Sequence, residues 1–256
     1  MFSIFKKSNK QVDVLCSISK KYKITHDLYK PNYSGKMLPT YFRQLPKTYE
    51  NTNNNGIVLQ NSTIKNCVGI LSLIGNGFVI PNWTDIIIKV SKDHYAWQCA
   101  DTQTVIEFLG NDTTGTHWQK KYWKFRIKSP WSISTKDEIL FHFTEPFWHY
   151  EDLPFWKIVP GVIDFKYNHN TDVVILIPIP EVETQFMIPA GTPLVQCVLL
   201  NKEKFNLVHE MYEGDRENSE YNTYRTKFSN FYPYYRKELQ KLENQEPKCP
   251  FKNIFR

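Results

Sequence analysis

The stretch that decides the fold is IVPGVIDFKYNHNTDVVILIPIP, residues 158–180. A short polar loop that carries Asp164 and Tyr167 leads into DVVILIPIP, which is almost continuously apolar. A run of this length and β-branched content is typical of a strand that is buried on both faces. Asp164 and Tyr167, at the mouth of that strand, belong either to a solvated turn or to the floor of a ligand pocket.

The chain from Ile57 to Leu200 contains several more short runs of this kind. YWKFRIKS (122–129) and EILFHFTEP (138–146) alternate apolar with polar residues, which predicts strands with one solvated face. Many short strands that are separated by prolines and other turn residues predict an all-β barrel or sandwich. The other strands are predicted in GIVLQNSTI (56–64), GFVIPNWTDIIIKVS (77–91) and TPLVQCVLL (192–200).

These patterns divide the chain into three parts. Residues 1–56 are polar and end in the turn-forming run ENTNNNG, so they are predicted to be an N-terminal extension. Residues 57–205 are the predicted β domain, and residues 206–256 are a predicted tail with short helices. Glycine and proline at the boundaries indicate two helical stretches in this region. They are KEKFNLVHEMYEG (202–214) and NFYPYYRKELQKLENQEP (230–247).

The composition predicts a large core and only a mild excess of positive charge. The 256 residues include 17 Phe, 15 Tyr and 7 Trp, and each of these rings buries a large area. The formal net charge is only +6, and many basic residues lie near the two ends. Solvated faces explain these charges better than a nucleic-acid surface does. The aromatic and basic stretch WQKKYWKFRIK (118–128) keeps base stacking open as an alternative.

The cysteines and the hydropathy place the chain away from secretion and from membranes. Neither a zinc ribbon nor a disulfide framework is indicated, because the five cysteines are widely spaced and form no CxxC pair. We therefore expect reduced thiols in a cytoplasmic protein. The first ten residues, MFSIFKKSNK, lack the apolar run of a signal peptide. No stretch reaches the roughly eighteen apolar residues of a membrane span, so no membrane partner is expected.

Three segments then occur in a particular order, namely EPFWH (145–149), GVIDFKY (161–167) and IPAGTPLVQ (188–196). This order resembles the core of the trimeric dUTPase and dCTP-deaminase family, which has the β-clip fold. The fifteen residues from Pro146 to Gly161 fit the gap that is usual in the family. The resemblance covers roughly residues 115–200 and implies a β-clip-like barrel or sandwich. It also implies a homo-oligomer, such as a trimer.

The family's chemistry implies roles for single residues. Asp164 would be the base that activates water for attack on an α-phosphate, with Mg²⁺ at the phosphates as the only cofactor. The Tyr167 ring would pack under the deoxyribose of a deoxynucleotide. The implied ligand-binding positions are Gly161, Phe147, Trp148 and Gln196.

The chain departs from the family where phosphate is bound. Phe147 and Trp148 stand in place of the family's Arg and Ser, and an aromatic ring cannot replace a phosphate-binding arginine. Asn168 and His169 replace the Arg-Gly pair after the tyrosine. The last ten residues, PKCPFKNIFR (247–256), have no glycine with which to close over a triphosphate. These changes favour a fold that is retained without its chemistry.

A second stretch, KNCVGILSLIGNGFVIPNWTD (65–85), resembles an uncharacterised family seen in tailed phages. That family implies no activity, but it implies a viral source. The expected location is then the cytoplasm of a host cell or a virion, and the expected partner is a virion or assembly component.

The residues singled out above also have plainer explanations. Asp164 can cap its own turn, and Tyr167 can be a half-buried packing residue. The run FHFTEPFWHYED (141–152) has two histidines and three carboxylates, yet its spacing matches no familiar metal motif. Hydrogen-bonded or solvated histidines are therefore favoured there, and no metal site is assigned. Cys197 is favoured as a small core residue over a nucleophile.

Five aromatic residues follow closely on one another and form either a surface for a ligand or partner, or part of the core or of a subunit interface. They are Phe147, Trp148, Tyr150, Phe155 and Trp156.

The sequence therefore favours a non-catalytic binding or structural protein on a dUTPase-like β-clip fold, which is phage-encoded and homo-oligomeric. The alternatives are a divergent deoxynucleoside triphosphate pyrophosphatase and a nucleotide-sensing module without chemistry. All three depend on one expectation, which is that Pro146, residues 161–167 and residues 191–196 come together in a single closed β unit.

Overall fold

A computed structural model of the chain describes residues 11–52, 56–100, 105–110, 121–166, 170–200 and 203–213. The chain divides into two units, Met1–Glu213 and Gly214–Arg256, and every described residue belongs to the first unit. Tyr167 and the helix predicted over residues 230–247 lie outside the described residues.

Strands dominate the described residues and confirm the prediction of an all-β protein. In chain order, strands β1 to β17 are Gln11–Ser19, Asn32–Tyr33, Thr48–Thr52, Val58–Ser62, Gly77–Pro81, Ile86–Val90, Tyr95–Cys99, Ile106–Phe108, Tyr122–Ile127, Ser132–Thr135, Leu140–Thr144, Lys157–Ile158, Gly161–Asp164, Val173–Pro178, Thr184–Ile188, Pro193–Leu199 and Lys204–Tyr212. The α-helices α1 to α3 are Lys23–Leu28, Thr40–Gln44 and Val68–Gly75. None of the helices in the described residues is long and apolar enough to cross a membrane.

The described strands form five sheets, whose strand orders are β10-β1-β17, β13-β11-β16-β5-β2, β12-β14-β9-β8, β15-β6-β7 and β3-β4. The sequence predicts a barrel or a sandwich, and because each sheet has two edge strands, the described residues do not form a closed barrel. Short strands and frequent turns are compatible with either open or closed sheets. Closure itself depends on pairings between distant strands, which local patterns do not reveal.

The first strand lies in the core, although it falls within the predicted N-terminal extension. β1 is the central strand of its sheet, with β10 antiparallel on one side and β17 parallel on the other. Alternate residues of β1 point into the core and are buried, because a strand repeats its faces every two residues. They are Val12, Val14, Cys16 and Ile18.

The helix predicted over residues 202–214 is wrong, because Lys204–Tyr212 forms β17. Its nine residues pair in parallel with all nine residues of β1, from Gln11 opposite Lys204 to Ser19 opposite Tyr212. Phe205, Leu207 and Met211 alternate along β17 and pack against the core. Pairing with a distant strand has overridden the local helical preference here, as tertiary context often does.

A group of phenylalanine rings joins β17 to the five-stranded sheet. The ring centroids of its contacting pairs are 5.3 to 6.4 Å apart, in the tilted and edge-on arrangements that aromatic pairs favour. We call this group the phenylalanine cluster, and its members are Phe78, Phe141, Phe165 and Phe205. The cluster holds the inner face of β11 against the β1–β17 pair.

A second aromatic contact joins the β15-β6-β7 sheet to the β12-β14-β9-β8 sheet. The Tyr95 ring stacks on Phe108 at 4.3 Å and meets Trp123 edge-on at 5.0 Å.

The prediction that β9 has one solvated face is wrong at Lys124, which is only 1% exposed. Lys124 lies opposite the buried Leu176 of β14, so this face of the sheet is covered at that point.

Replacement of Phe141 tests the importance of the phenylalanine cluster. Phe141→Ala removes a fully buried ring and leaves a cavity, so we expect the free energy of unfolding in urea to fall by about 3–5 kcal/mol. Phe147→Ala is the control, because that ring is largely exposed just beyond β11 and its loss should cost less than about 1 kcal/mol. Equal losses in the two variants would contradict this packing.

Candidate functional site

Parts of the second and third segments of the family resemblance, β13 and the first half of β16, lie on either side of β11, and β11 ends just before the first segment, residues 145–149. β11 pairs antiparallel with β13 on one side and with β16 on the other. Residues that lie directly opposite each other in antiparallel strands point to the same face. One face of these three strands, which we call the β11 face, therefore carries three cross-strand rows. They are Asp164–Leu140–Leu200, Val162–His142–Val198 and, across two strands, Thr144–Gln196.

The first row marks the open end of the β11 face. Leu140, Val162 and Leu200 are 42%, 56% and 53% exposed, so three apolar side chains face solvent close together. His142 is half-buried beside Val162, between two apolar neighbours. An exposed apolar group of this kind is typical of a surface that binds a partner.

Asp164 uses its carboxylate to close its own turn. Oδ1 accepts a hydrogen bond of 2.9 Å from the backbone N–H of Lys166, which confirms the simpler of the two roles predicted for this residue. Partial burial raises the pKa of Asp164, although hydrogen bonds from the backbone of Lys166 and Ile139 act in the opposite direction. Lys166 in turn forms an ion pair of 3.5 Å with Glu138.

Gln196 lies at the covered end of the β11 face and is fully buried. Its Nε2 donates to Ser34 Oγ at 3.1 Å and to the Leu73 carbonyl at 3.0 Å. At Gly77, on the neighbouring strand, an added Cβ would lie 2.9 Å from the Cys197 carbonyl and 3.1 Å from Ser34 Oγ. The chain between β1 and β5 therefore packs tightly over this end, and Gln196 holds that segment in place.

Asp164 and the Gly191 turn lie at opposite ends of β11. Asp164 pairs with Leu140 at the start of the strand, and Gln196 pairs with Thr144 at its end. Four residues of strand span about 13 Å, and Gly191 lies still further along. The prediction that residues 161–167 and 191–196 come together therefore holds for the pairing of β13 and β16 with β11, and it does not hold for Asp164 and Gly191 within one chain.

The presence of glycine at position 191 is explained by the backbone conformation of its turn. Its φ is +85°, which favours glycine, and its N–H donates to the Asn82 carbonyl at 2.7 Å. The buried Asn82 side chain donates in turn to the carbonyls of Thr84 and Ile188 at 2.6 and 2.9 Å. The turn that the resemblance predicted here is held by internal hydrogen bonds.

The other predicted ligand-binding residues lie at the surface or pack against helices. Gly161 is exposed at the start of β13, opposite Phe143. Phe147 is exposed in the 3₁₀ turn Phe147–His149, and the Trp148 ring meets Phe42 of α2 edge-on at 6.2 Å.

The remaining members of the predicted aromatic group divide between core and surface. Tyr150 and Trp156 are buried and meet edge-on at 5.9 Å. Phe155 remains partly exposed and contacts Phe186 at 4.7 Å.

His149 and Cys197 are in structural positions. His149 is buried, and its Nε2 lies 3.0 Å from the Ser34 carbonyl, which confirms the prediction of a hydrogen-bonded histidine. Cys197 is a buried core residue, as predicted, and burial raises the pKa of its thiol well above the ordinary value. Within the described ranges, no three His, Cys, Asp or Glu side chains come together in a group that could hold a metal ion.

Sequence reasoning missed Ser34 and Leu73, which together cover Gln196. The only local signal is Gly77, which begins a strand and so indicates a close backbone approach. No protein-family model, curated protein or solved structure matches this chain. The geometry of the β11 face therefore carries the functional conclusion.

Two variants of Asp164 test its turn-forming role. Asp164→Asn keeps an oxygen for the Lys166 amide and removes a charge that burial disfavours, so its stability at neutral pH should equal or exceed that of the wild type. Asp164→Ala loses the acceptor and should cost about 1 kcal/mol. The measurement is urea unfolding at several pH values.

The difference in stability between the wild type and Asp164→Asn should change with pH in one direction. Because the pKa of Asp164 is raised in the folded protein, the wild type should lose stability relative to Asp164→Asn as the pH rises from the ordinary aspartate value, about 3.9, through the folded value. Equal destabilisation by both substitutions would contradict the assigned role.

Proposed function

We propose that this chain is a non-catalytic binding or structural protein that assembles with further copies of itself through β13 and the open end of the β11 face. One observation carries the proposal. The open end exposes three apolar side chains near the edge of a sheet. An assembly role requires this feature and leaves Asp164 Oδ1 free to close its own turn.

The edge of the sheet supports pairing with another strand. Among the described strands, β13 is the terminal strand of the five-stranded sheet and pairs with β11 alone. Its sequence GVID has no charge before Asp164, and both Gly161 and Val162 are exposed. Uncharged, exposed edge strands pair readily with a strand from another chain, which is why many proteins protect theirs with lysine or proline.

The charge pattern of β13 is compatible with a second copy of the same strand. Antiparallel two-fold pairing centred on Val162 would place the Val162 side chains of the two copies opposite each other on one face, with each Asp164 beyond the partner's Gly161. The two Asp164 residues would then lie about 13 Å apart along the strands, so no like charges would meet. Leu140 and Val162 of both copies would shield each other from water beside this pairing.

The departures from the dUTPase-like family support the absence of its chemistry from this proposal, whereas its closed β unit is not formed by the described strands. A chain with Phe147 and Trp148 in place of the family's Arg and Ser fits a protein that does not bind phosphate in that way. The likeness to a tailed-phage family fits a virion or assembly component in the host cell. The dUTPase-like family is trimeric, so the number of copies is part of the test.

Replacement of Val162 tests the interface. We expect light scattering after size exclusion to give a mass that is a multiple of 30.4 kDa for the wild type and 30.4 kDa for Val162→Lys. A buried lysine at the edge strand opposes pairing. Val182→Lys is the control, because Val182 is 77% exposed and lies outside the β11 face, and it should keep the wild-type mass. A monomeric wild type, or an oligomer that Val162→Lys leaves intact, would contradict the interface.

A thermal-shift series with deoxynucleoside triphosphates, with and without Mg²⁺, completes this test. The assembly role predicts no rise in Tm, because nothing binds the folded state. A rise without release of pyrophosphate would favour the nucleotide sensor. A rise with release that Asp164→Asn abolishes would favour the pyrophosphatase.

A further inference from the structure

Two histidines from distant parts of the chain hold one short segment. His209 of β17 lies with its Nε2 2.8 Å from the Pro31 carbonyl, and His149 lies with its Nε2 3.0 Å from the Ser34 carbonyl. A carbonyl oxygen only accepts, so each Nε2 carries the proton that it donates. We call residues 31–34 the latch segment.

The latch segment is where several strands meet. It contains β2, which forms the edge of the five-stranded sheet by pairing with β5. The Tyr33 hydroxyl accepts from the Leu207 N–H at 3.1 Å and donates to Asn206 Oδ1 at 3.3 Å. Ser34 Oγ accepts from Gln196 at 3.1 Å. The segment therefore links β17, β16 and β5 through hydrogen bonds.

The latch segment also restrains the long connection between β1 and β5. Residues 20–76 leave the core after β1 and return at β5, and they include α1 to α3 and the β3–β4 hairpin. The hairpin is exposed along almost its whole length. Hydrogen bonds join the two ends of the hairpin at its base. Examples are those from Thr63 Oγ1 to the Pro46 carbonyl and from Asn66 to the Lys47 carbonyl.

We propose that His149 and His209 form an acid-sensitive latch, which holds residues 31–34 when both imidazoles are neutral and releases them when both are protonated. Release would separate β2 from β5 and uncover the Gln196 end of the β11 face. This inference does not rest on the self-assembly proposed above.

Among the described residues, no carboxylate forms an ion pair with His149 to stabilise a positive charge. Burial lowers its pKa, and this effect outweighs the hydrogen bonding to the Ser34 and Pro146 carbonyls, which acts in the opposite direction. Nδ1 is buried and has no hydrogen-bond partner among the described residues. A buried imidazolium without a carboxylate is costly, so acid favours the form in which this ring reaches water.

His209 has positive neighbours. Burial is again the main cause that lowers its pKa, the Pro31 carbonyl opposes it, and the charges of Lys30 and His26 lower the pKa further. His26 is itself paired with Asp27 at 3.0 Å, and the Trp131 ring meets His209 edge-on at 6.1 Å. Protonation of His209 therefore adds a charge to a positive and partly apolar environment.

The direction of the pH response follows from linkage. In the released state both imidazoles titrate near the ordinary value of about 6.5, whereas in the closed state their pKa values are lower. The latch is therefore fully stable above about pH 6.5 and loses stability as the pH falls through the closed-state values. The equilibrium constant for opening rises by up to about tenfold per pH unit for each histidine that takes up a proton.

Hydrogen exchange at about pH 7.5 and about pH 5, corrected for the intrinsic exchange rates, tests the latch directly. We expect the protection of the amides of residues 32–34, and of the one amide of Phe78 and Val79 that faces β2 rather than β16, to fall by more than about tenfold at the lower pH. The amides of β14, which lies in another sheet, should keep their protection and serve as the internal reference.

Substitution by glutamine keeps an N–H donor near the carbonyl and removes the titration. His149→Gln and His209→Gln should each reduce the acid response, and the double variant should abolish it. His94→Gln is the matched control, because His94 is exposed and pairs with Glu183 far from the latch segment in sequence, and it should respond like the wild type.

Two results would overturn the latch. One is equal protection of residues 32–34 in the wild type at both pH values, and the other is an undiminished acid response in the double variant. If a variant does not fold, NMR titration of the His149 and His209 rings in the wild type tests the latch instead. Both imidazoles must titrate below about 6.5 and at the pH where protection is lost, and a higher value for either ring rejects the proposal.

Discussion

The parallel pairing of β1 with β17 is the interaction on which the rest of the structure depends. It joins strands that begin 193 residues apart, and side chains reinforce it at that same separation. Ser17 Oγ donates to Glu210 at 2.8 Å, and Asn206 donates to Asp13 at 3.3 Å. Closing so long a loop costs conformational entropy, which the burial of alternate apolar residues of β1 offsets.

The same pairing determines what the β11 face can do. β17 carries Phe205 into the phenylalanine cluster, which fixes the inner side of β11, and it carries His209 to the latch segment. The latch segment covers the Gln196 end of the face and leaves the Leu140 end open. This face, covered at one end and apolar at the other, is the feature on which the proposed assembly role rests.

The strands that local patterns could reveal were predicted correctly, and the long-range pairings were not. DVVILIPIP reads as a buried strand because its apolar run is continuous, and β14 is indeed mostly buried. Lys204–Tyr212 reads as a helix because charged residues and a following glycine are typical of helix ends, while its partner strand lies far outside any local window. The role of Asp164 as a turn former followed from residue chemistry alone. Its distance from Gly191 depends on the antiparallel register of β11, β13 and β16, which the order of motifs does not specify.

The most direct test of this account is solution NMR of residues 204–212. The account predicts carbon chemical shifts of extended backbone throughout this stretch and cross-strand nuclear Overhauser effects to β1, in the register that places Val14 beside Leu207. Helical chemical shifts over residues 204–212, or the absence of every contact with β1, would contradict it.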